Sequence, residues 1–166
     1  IIVKSDTPVS FLKYWENDKA TKQKVKDGWL YTGDFAYKDE EGYFYFKGRE
    51  DDIINTSGYR VGPSEVEDAV ISHPKVSMVA VIGIPDKLRG QVIKAFVVPM
   101  DHNNVLTQNE ILKKSIQNHV KLKLAAHEYP RLIEFVYELP LTTTGKIIRK
   151  DLSCLLYTSD AADDGL

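Results

Sequence analysis

The sequence predicts an α+β fold, in which a β-hairpin and a mixed sheet with helices follow a group of short strands. Short apolar segments bounded by Gly, Pro and acidic residues recur along the chain, which is typical of strands. Apolar residues at helical spacing follow Gly62-Pro63 and Thr107, which predicts two helices among those strands. The charge cluster Arg49-Glu50-Asp51-Asp52 lies between two strand-like stretches, and we place a boundary there.

Composition and charge exclude several classes of function. The 166 residues are 43% hydrophobic and 28% charged, as in ordinary globular proteins. The net charge of −2 gives no basis for binding nucleic acid or an anionic membrane surface. No apolar run approaches the roughly 18 residues of a membrane span, and the single cysteine, Cys154, allows no disulfide framework within the chain. We therefore expect a cytoplasmic protein, or one of the mitochondrial matrix if the source is eukaryotic.

The first part of the chain predicts a meander of short strands behind a polar segment. Residues 17–26 are polar and predict a helix or a loop. A short apolar strand then ends in Gly33-Asp34, which is a turn signal, and the aromatic run 43–46 has high β-propensity. Residues 28–50 are therefore predicted to be consecutive short strands.

The second part predicts a hairpin, two helices and three further strands. Apolar residues on both sides of Ser57-Gly58 indicate a hairpin over residues 53–61. Pro63 suits the first turn of a helix, and Thr107 and Glu110 form a capping-box pattern before a second one. The apolar face of that second helix contains Ile111, Leu112, Ile116 and Val120. The other predicted elements are strands 76–84, 92–98 and 130–136, a turn at Gly145-Lys146, and a terminal helix around 148–152.

The last residues, 153–166, have neither a helical nor a strand period. They resemble the conceptual translation of a common sequencing adapter. We expect that they are not native protein and exclude them from the prediction of the fold.

Four segments carry the polar residues that are candidates for chemistry. Each has an ordinary structural interpretation when it is taken singly: Asp34 stabilises a turn, Arg49 is a solvated charge, Ser57-Gly58 is a hairpin tip, and Lys146 is an exposed cation. The lysine turn is not a nucleotide-binding P-loop, because neither Pro140 nor Ile147 fits that motif. The four segments are Tyr31-Thr32-Gly33-Asp34, Gly48-Arg49-Glu50-Asp51-Asp52, Ser57-Gly58-Tyr59-Arg60-Val61-Gly62 and Thr144-Gly145-Lys146.

Taken together and in this order, the segments resemble the adenylate-forming superfamily, which includes acyl-CoA synthetases, firefly luciferases and nonribosomal peptide adenylation domains. The resemblance covers roughly residues 11–152, and residues 58–67, 89–96 and 129–131 are most similar to medium-chain acyl-CoA synthetases. It implies a carboxy-terminal fragment. Residues 1–50 would end a truncated large amino-terminal domain, and residues 51–152 would form the small mobile domain.

The resemblance also implies roles for individual residues in binding ATP, which would arrive with Mg²⁺. Asp34 would accept hydrogen bonds from the ribose hydroxyls, and Arg49 would contact the same nucleotide. Arg60 would approach the phosphates, and Asp51 would be the hinge. Lys146 would be the catalytic cation. No metal ligand is expected from the protein, because the four histidines lack metal-ligand spacing.

Coenzyme A is the second substrate that the resemblance implies. Ser57, Gly58 and Tyr59 would line the path of its thiol, and Arg89 would contact one of its phosphates. The chain departs from the family pattern in residues 124–129, where relatives commonly have an Ala-Pro pair. It departs again at Leu122, near a position where some relatives have a serine at coenzyme A. The coenzyme A contact there therefore stays open.

The function implied is that of an ATP-dependent acid–thiol ligase, which makes an acyl adenylate and then an acyl-CoA from a fatty or other small carboxylic acid. The fragment would not act alone, because its partner is the missing amino-terminal domain. Three alternatives stay open: an adenylation domain that loads a carrier protein, a luciferase-like oxidative enzyme, and a non-catalytic interaction module that uses the hairpin and the 107–120 helix.

Overall fold

The computed structural model describes residues 1–153 and divides the chain into two compact units, residues 1–51 and the residues from Asp52 onward. The α+β fold class predicted from the sequence is confirmed. Residues 149–153 are helical, so the predicted terminal helix includes Ser153. The rest of the segment that we expect to be non-native, residues 154–166, lies outside the described part of the chain.

The first unit contains one short helix and two small antiparallel sheets. Helix α1 (Asp18–Lys24) is capped by Asn17, whose side chain accepts a hydrogen bond from the Ala20 amide at 3.0 Å. The predicted single meander is wrong, because the strands belong to two sheets. Gly33, with a φ of 82°, turns the chain between the two sheets. The first sheet has the order β1 (Ile2–Lys4), β3 (Trp29–Tyr31), β2 (Val25–Lys26); the second pairs β4 (Asp34–Lys38) with β5 (Phe44–Arg49).

The second unit is built on a mixed sheet of five strands. Its central strand, β9 (Gly90–Pro99), pairs antiparallel with β8 (Val76–Asp86) and parallel with β10 (Leu132–Phe135). The predicted hairpin forms from β6 (Ile54–Thr56) and β7 (Tyr59–Val61), and it joins β9 where Thr56 pairs with Gly90. The helices of this unit are α2 (Pro63–Ile71), α3 (Asn103–Thr107) and α4 (Glu110–Lys121).

The core occupies both faces of this sheet, because successive strand residues point to opposite sides. On one face, Val79 and Val81 pack with residues of α2 and α4. On the other face, Ala80 and Ile82 pack with residues that follow β10. Fully burying an aliphatic or phenyl side chain contributes about 1.5–3 kcal/mol. The buried partners are Val66, Val70, Leu112, Ile116 and Val120 on the first face, and Phe96, Val98, Leu139 and Leu152 on the second.

The start of α4 differs from the sequence prediction. Asn109, not Thr107, is the cap, because its side-chain oxygen accepts hydrogen bonds from the amides of Ile111 and Leu112, both at 3.1 Å. Thr107 instead ends α3, and Gln108, with a φ of 44°, turns the chain between the two helices. With the cap at Asn109, residues 112, 116 and 120 face the core, and Ile111 is 82% exposed. Within the described residues, none of the helices has both the length and the apolar character of a membrane span.

A buried histidine lies where α2 packs against α4. His73 is 7% exposed, and its Nε2 lies 3.1 Å from the Ser115 hydroxyl oxygen. Burial lowers the pKa of His73 below its ordinary value of 6.5, and the neighbouring charges of His119 and Lys75 lower it further. The folded protein therefore favours the neutral form of this imidazole more than the unfolded chain does.

The buried His73 should make the stability of the fold depend on pH. Its pKa is lower in the folded protein than in the unfolded chain, so its contribution is complete above pH 6.5 and is lost as the pH falls below that value. The free energy of unfolding, measured by urea denaturation across this range, should fall with pH in the unmodified chain. The decrease in the free energy of unfolding should be smaller in His73→Gln than in the unmodified chain. In the control His102→Gln, which alters an exposed histidine, the decrease should equal that of the unmodified chain. An equal decrease in all three proteins would contradict the assignment.

Candidate functional site

Lys146 lies on a turn whose backbone is fixed by its own hydrogen bonds. The Thr142 amide donates to the Lys146 carbonyl at 2.8 Å, and the Lys146 amide donates to the Thr142 hydroxyl oxygen at 3.0 Å. Gly145 has a φ of 80°, a conformation that glycine adopts without strain. Leu141 and Ile147 pair across the base of the turn, and Ile147 packs against the second core cluster. The position of the lysine backbone is therefore determined by the fold.

The Lys146 side chain is exposed, and no ion pair joins it to any other described residue of its unit. Among residues 52–153, no carboxylate forms an ion pair with its ammonium group. A lysine ammonium is a compact charge with three donors on a flexible stem. A fixed backbone with an unpaired cation can therefore deliver a positive charge to an anion from outside this unit.

In the first unit, Asp34 and Arg49 lie opposite each other on β4 and β5. The Arg49 Nη1 is 3.4 Å from the Asp34 carboxylate, and its Nη2 is 3.3 Å from the Asp51 carboxylate. The Asp34 and Arg49 side chains are 32% and 44% exposed. Ion pairs this exposed are weak, because water screens them. Both groups can therefore exchange their mutual contact for hydrogen bonds to a ligand.

The tip of the β6–β7 hairpin is a two-residue turn. Ser57 has a φ of 51° and Gly58 a φ of 84°, and two positive values are typical of the type I′ turn. A Cβ built on Gly58 would have no heavy atom within 4 Å. The space beside Gly58 is therefore open within the described residues, and Tyr59, the next residue, is 53% exposed.

Arg89 contacts the tip of this hairpin through its backbone. Its carbonyl oxygen accepts a hydrogen bond from the Ser57 amide at 2.9 Å, and its guanidinium lies 3.9 Å from the Asp86 carboxylate. The same carboxylate accepts the Arg89 amide at 2.8 Å, which fixes the loop between β8 and β9. The structure thus brings the backbones of Ser57 and Arg89 together. Arg60 lies on β7 opposite Asn55 and is exposed.

Two residues that the sequence did not single out support the hairpin. The side-chain oxygen of Gln91 accepts a hydrogen bond from the Asn55 amide at 2.7 Å. The ring of His127 stacks on the ring of Tyr59, with centroids 3.8 Å apart and planes 15° apart. His127 lies in the segment that departs from the family pattern, so no family motif could have predicted this contact.

The candidate residues form separate groups. No hydrogen bond or ion pair within residues 52–153 joins Lys146 to Ser57, Gly58, Tyr59 or Arg89. No group of three or more His, Cys, Asp or Glu residues within the described chain is arranged to hold a metal ion. The described residues therefore offer two distinct polar surfaces in the second unit, the lysine turn and the hairpin tip.

Comparison with known proteins shows the family to which this chain belongs. The model of the AMP-binding enzyme C-terminal domain matches residues 65–146. The chain belongs to the adenylate-forming, AMP-binding superfamily. The family resemblance drawn from the motifs is thereby confirmed. The chain is 50% identical to the human mitochondrial acyl-coenzyme A synthetase ACSM1 over 153 residues. It is 46% identical to the uncharacterized acyl-CoA ligase YtcI of Bacillus subtilis over 152 residues.

Solved structures agree with the sequence matches. The chain aligns with the anthranilate CoA ligase AuaEII in complex with anthranoyl-AMP at a TM-score of 0.78 and 40% identity, over 90% of this chain and 28% of that one. The matches to ACSM1 and YtcI each cover 92% of this chain. They cover 26% of the length of ACSM1 and 28% of the length of YtcI. The chain therefore spans about a quarter of the length of the curated relatives that it matches.

Proposed function

We propose that this chain supplies the mobile carboxy-terminal part of an AMP-forming acid–thiol ligase that converts a carboxylic acid to its coenzyme A thioester. One observation carries the proposal. Lys146 presents an ammonium that has no ion-pair partner among the described residues, from a turn fixed by the backbone, in a chain whose relatives are named acyl-CoA synthetases and ligases. The similarity to medium-chain enzymes in residues 58–67 and 89–96 favours a fatty acid as the substrate.

In the first half-reaction, an oxygen of the substrate carboxylate attacks the α-phosphorus of ATP, and the bond to pyrophosphate breaks. Two anions must approach each other in this step. The Lys146 ammonium lies between them, offsets their repulsion and stabilises the charge that develops in the transition state. Because its backbone is already fixed, little ordering is left to do when the substrates bind.

Three residues, Asp34, Arg49 and Arg60, are proposed to contact the nucleotide. The Asp34 carboxylate accepts hydrogen bonds from the two ribose hydroxyls, as acidic residues do in dinucleotide sites. The Arg49 guanidinium, released from its exposed pairs, contacts the same nucleotide, and Arg60 approaches the phosphates. Mg²⁺ enters as part of the nucleotide substrate, since it binds mainly through phosphate oxygens and water.

In the second half-reaction, the thiol of coenzyme A attacks the acyl carbon of the adenylate, the bond between that carbon and the AMP oxygen breaks, and the thiol proton is released to solvent. The open space beside Gly58 lets the pantetheine arm pass close to the backbone. Ser57 and Tyr59 line the same path. Arg89, held next to Ser57, contacts a phosphate of coenzyme A.

The two half-reactions need different surfaces of the second unit, so we propose that the unit rotates between them. The boundary between the compact units falls between Asp51 and Asp52, and this supports Asp51 as the hinge. Few residues need to absorb such a change in backbone angles. Residues 1–50 then correspond to the end of a large amino-terminal domain, which would hold the acyl pocket and most of the ATP site.

Replacing Lys146 should slow the first half-reaction selectively. The chain is fused after a complete amino-terminal domain of a related synthetase, and adenylation is followed by ATP–pyrophosphate exchange. Lys146→Ala should lower the adenylation rate by about 10²–10³-fold, the usual loss for one such electrostatic group. The control Lys150→Ala removes an exposed cation four residues away and should leave the rate unchanged.

The same chimeras should react normally when they are given preformed acyl adenylate and coenzyme A. Lys146 has no proposed role in that step, so the rate of thioester formation should match that of the unmodified chimera. Equal damage to both half-reactions in Lys146→Ala would show that the division between the two surfaces is wrong. An inactive unmodified chimera would count against the proposed ligase activity itself.

Replacing Arg89 should weaken binding of coenzyme A through its nucleotide end. In the chimera, Arg89→Met should raise the KM for coenzyme A by about tenfold, which corresponds to loss of one charged hydrogen bond. The KM for pantetheine, which carries the thiol without the nucleotide phosphates, should not change. Lys87→Met is the matched control in the same loop.

Faster thioester formation on a carrier protein than on coenzyme A would favour the carrier-loading alternative.

A further inference from the structure

A charged cluster is centred on Arg149, three residues after Lys146, and has no part in the proposed chemistry. Arg149 donates from Nη2 to both carboxylate oxygens of Glu67, at 2.8 and 2.7 Å. Its Nη1 lies 3.3 Å from the Asp52 carboxylate. The three side chains are only 24%, 15% and 24% exposed for Arg149, Glu67 and Asp52. Such charge-assisted, partly buried contacts are stronger and more directional than surface pairs.

The cluster connects three distant parts of the second unit. Asp52 is the first residue of the unit, Glu67 lies on α2, and Arg149 begins the terminal helix directly behind the lysine turn. Glu67 also accepts a hydrogen bond from the Val81 amide at 2.9 Å, which attaches the cluster to strand β8. The guanidinium therefore links the lysine turn to the point where the second unit begins.

Stability alone does not account for this arrangement. One guanidinium faces two carboxylates, so the cluster carries a net negative charge in a partly desolvated place. The Arg149 Nε is buried without a hydrogen-bond partner among the described residues. Desolvation of such groups offsets much of their attraction, and a well-packed apolar replacement is often equally stable. What the charges supply is a fixed geometry between Asp52 and the lysine turn.

We propose that Arg149 is a positioning residue that clamps the lysine turn to Asp52, so that Lys146 moves as one body with the first residue of the rotating unit. This inference rests on the proposed function for its catalytic consequence. The clamp itself concerns only contacts within the second unit. Without it, the turn would stay attached to the core through Ile147, but its hydrogen bonds would open more often and the direction of Lys146 relative to Asp52 would vary.

Hydrogen exchange on the 166-residue chain tests the clamp without any assumption about activity. In Arg149→Met, the amides of Lys146 and Ile148 should exchange at least about tenfold faster, while amides of β9 keep their rates. Arg149→Lys should lie between this variant and the unmodified chain, because one ammonium cannot reproduce a planar guanidinium with two carboxylates. Lys150→Met, which removes the neighbouring cation, should leave these exchange rates unchanged.

Unchanged exchange at the turn, or an equal increase throughout β9, would overturn the clamp. If Arg149→Met does not fold, Asp52→Asn, which weakens only one contact, takes its place with the same criteria.

The chimera then tests the consequence for Lys146. Arg149→Met should lower the rate of adenylation by about 10²-fold, the loss expected when a catalytic group is displaced by about 1 Å. Thioester formation from preformed adenylate should stay unchanged, and Arg149→Lys should restore part of the adenylation rate. Equal loss in both half-reactions, or no loss in an active chimera, would overturn the positioning role. An inactive unmodified chimera would count against the proposed function, and the exchange result would still decide whether the clamp exists.

Discussion

The pairing of β9 with its neighbours is the interaction on which the second unit depends. This strand is buried on both faces, pairs along its length with β8, and pairs with β10 on its other edge. The backbone contacts continue beyond β10, because the amides of Arg131 and Val136 donate to the carbonyls of Ile93 and Val97. The hairpin tip joins the start of β9 through the Thr56–Gly90 pair, and the lysine turn follows the segment that β10 anchors. Both candidate surfaces are therefore attached to one central strand.

This attachment explains how a small unit can offer two polar surfaces with fixed geometry. The lysine turn and the hairpin each have a backbone held by hydrogen bonds and an exposed tip. The conformational entropy of both backbones is lost when the unit folds, so little remains to be lost when a substrate binds. The rotation that we propose then requires changes at few residues, since neither surface has to be rebuilt.

Much of the fold followed from local patterns, and most of the supporting contacts did not. The hairpin, α2, β8, β9 and the lysine turn have strong local signals, such as the Ser57-Gly58 pair between two apolar segments and the proline at the start of α2. The cap of α4 was mistaken because the capping box competed with Asn109 two residues later. The contact of Arg149 with Glu67 joins residues far apart in sequence, and the His127–Tyr59 stack joins a motif residue to one outside any motif. Such pairs depend on tertiary packing, which a single sequence does not encode in its spacing.

The central claim is that the hairpin tip acts in the second half-reaction and not in the first. The most direct measurement is the rate of each half-reaction in a chimera with Gly58→Asn. Asparagine tolerates the left-handed backbone of Gly58, and its side chain would project into space that is open within the described residues. Circular dichroism should show a folded protein. We expect normal ATP–pyrophosphate exchange and a loss of thioester formation from preformed adenylate. Normal rates in both half-reactions, or a loss confined to adenylation, would contradict the claim.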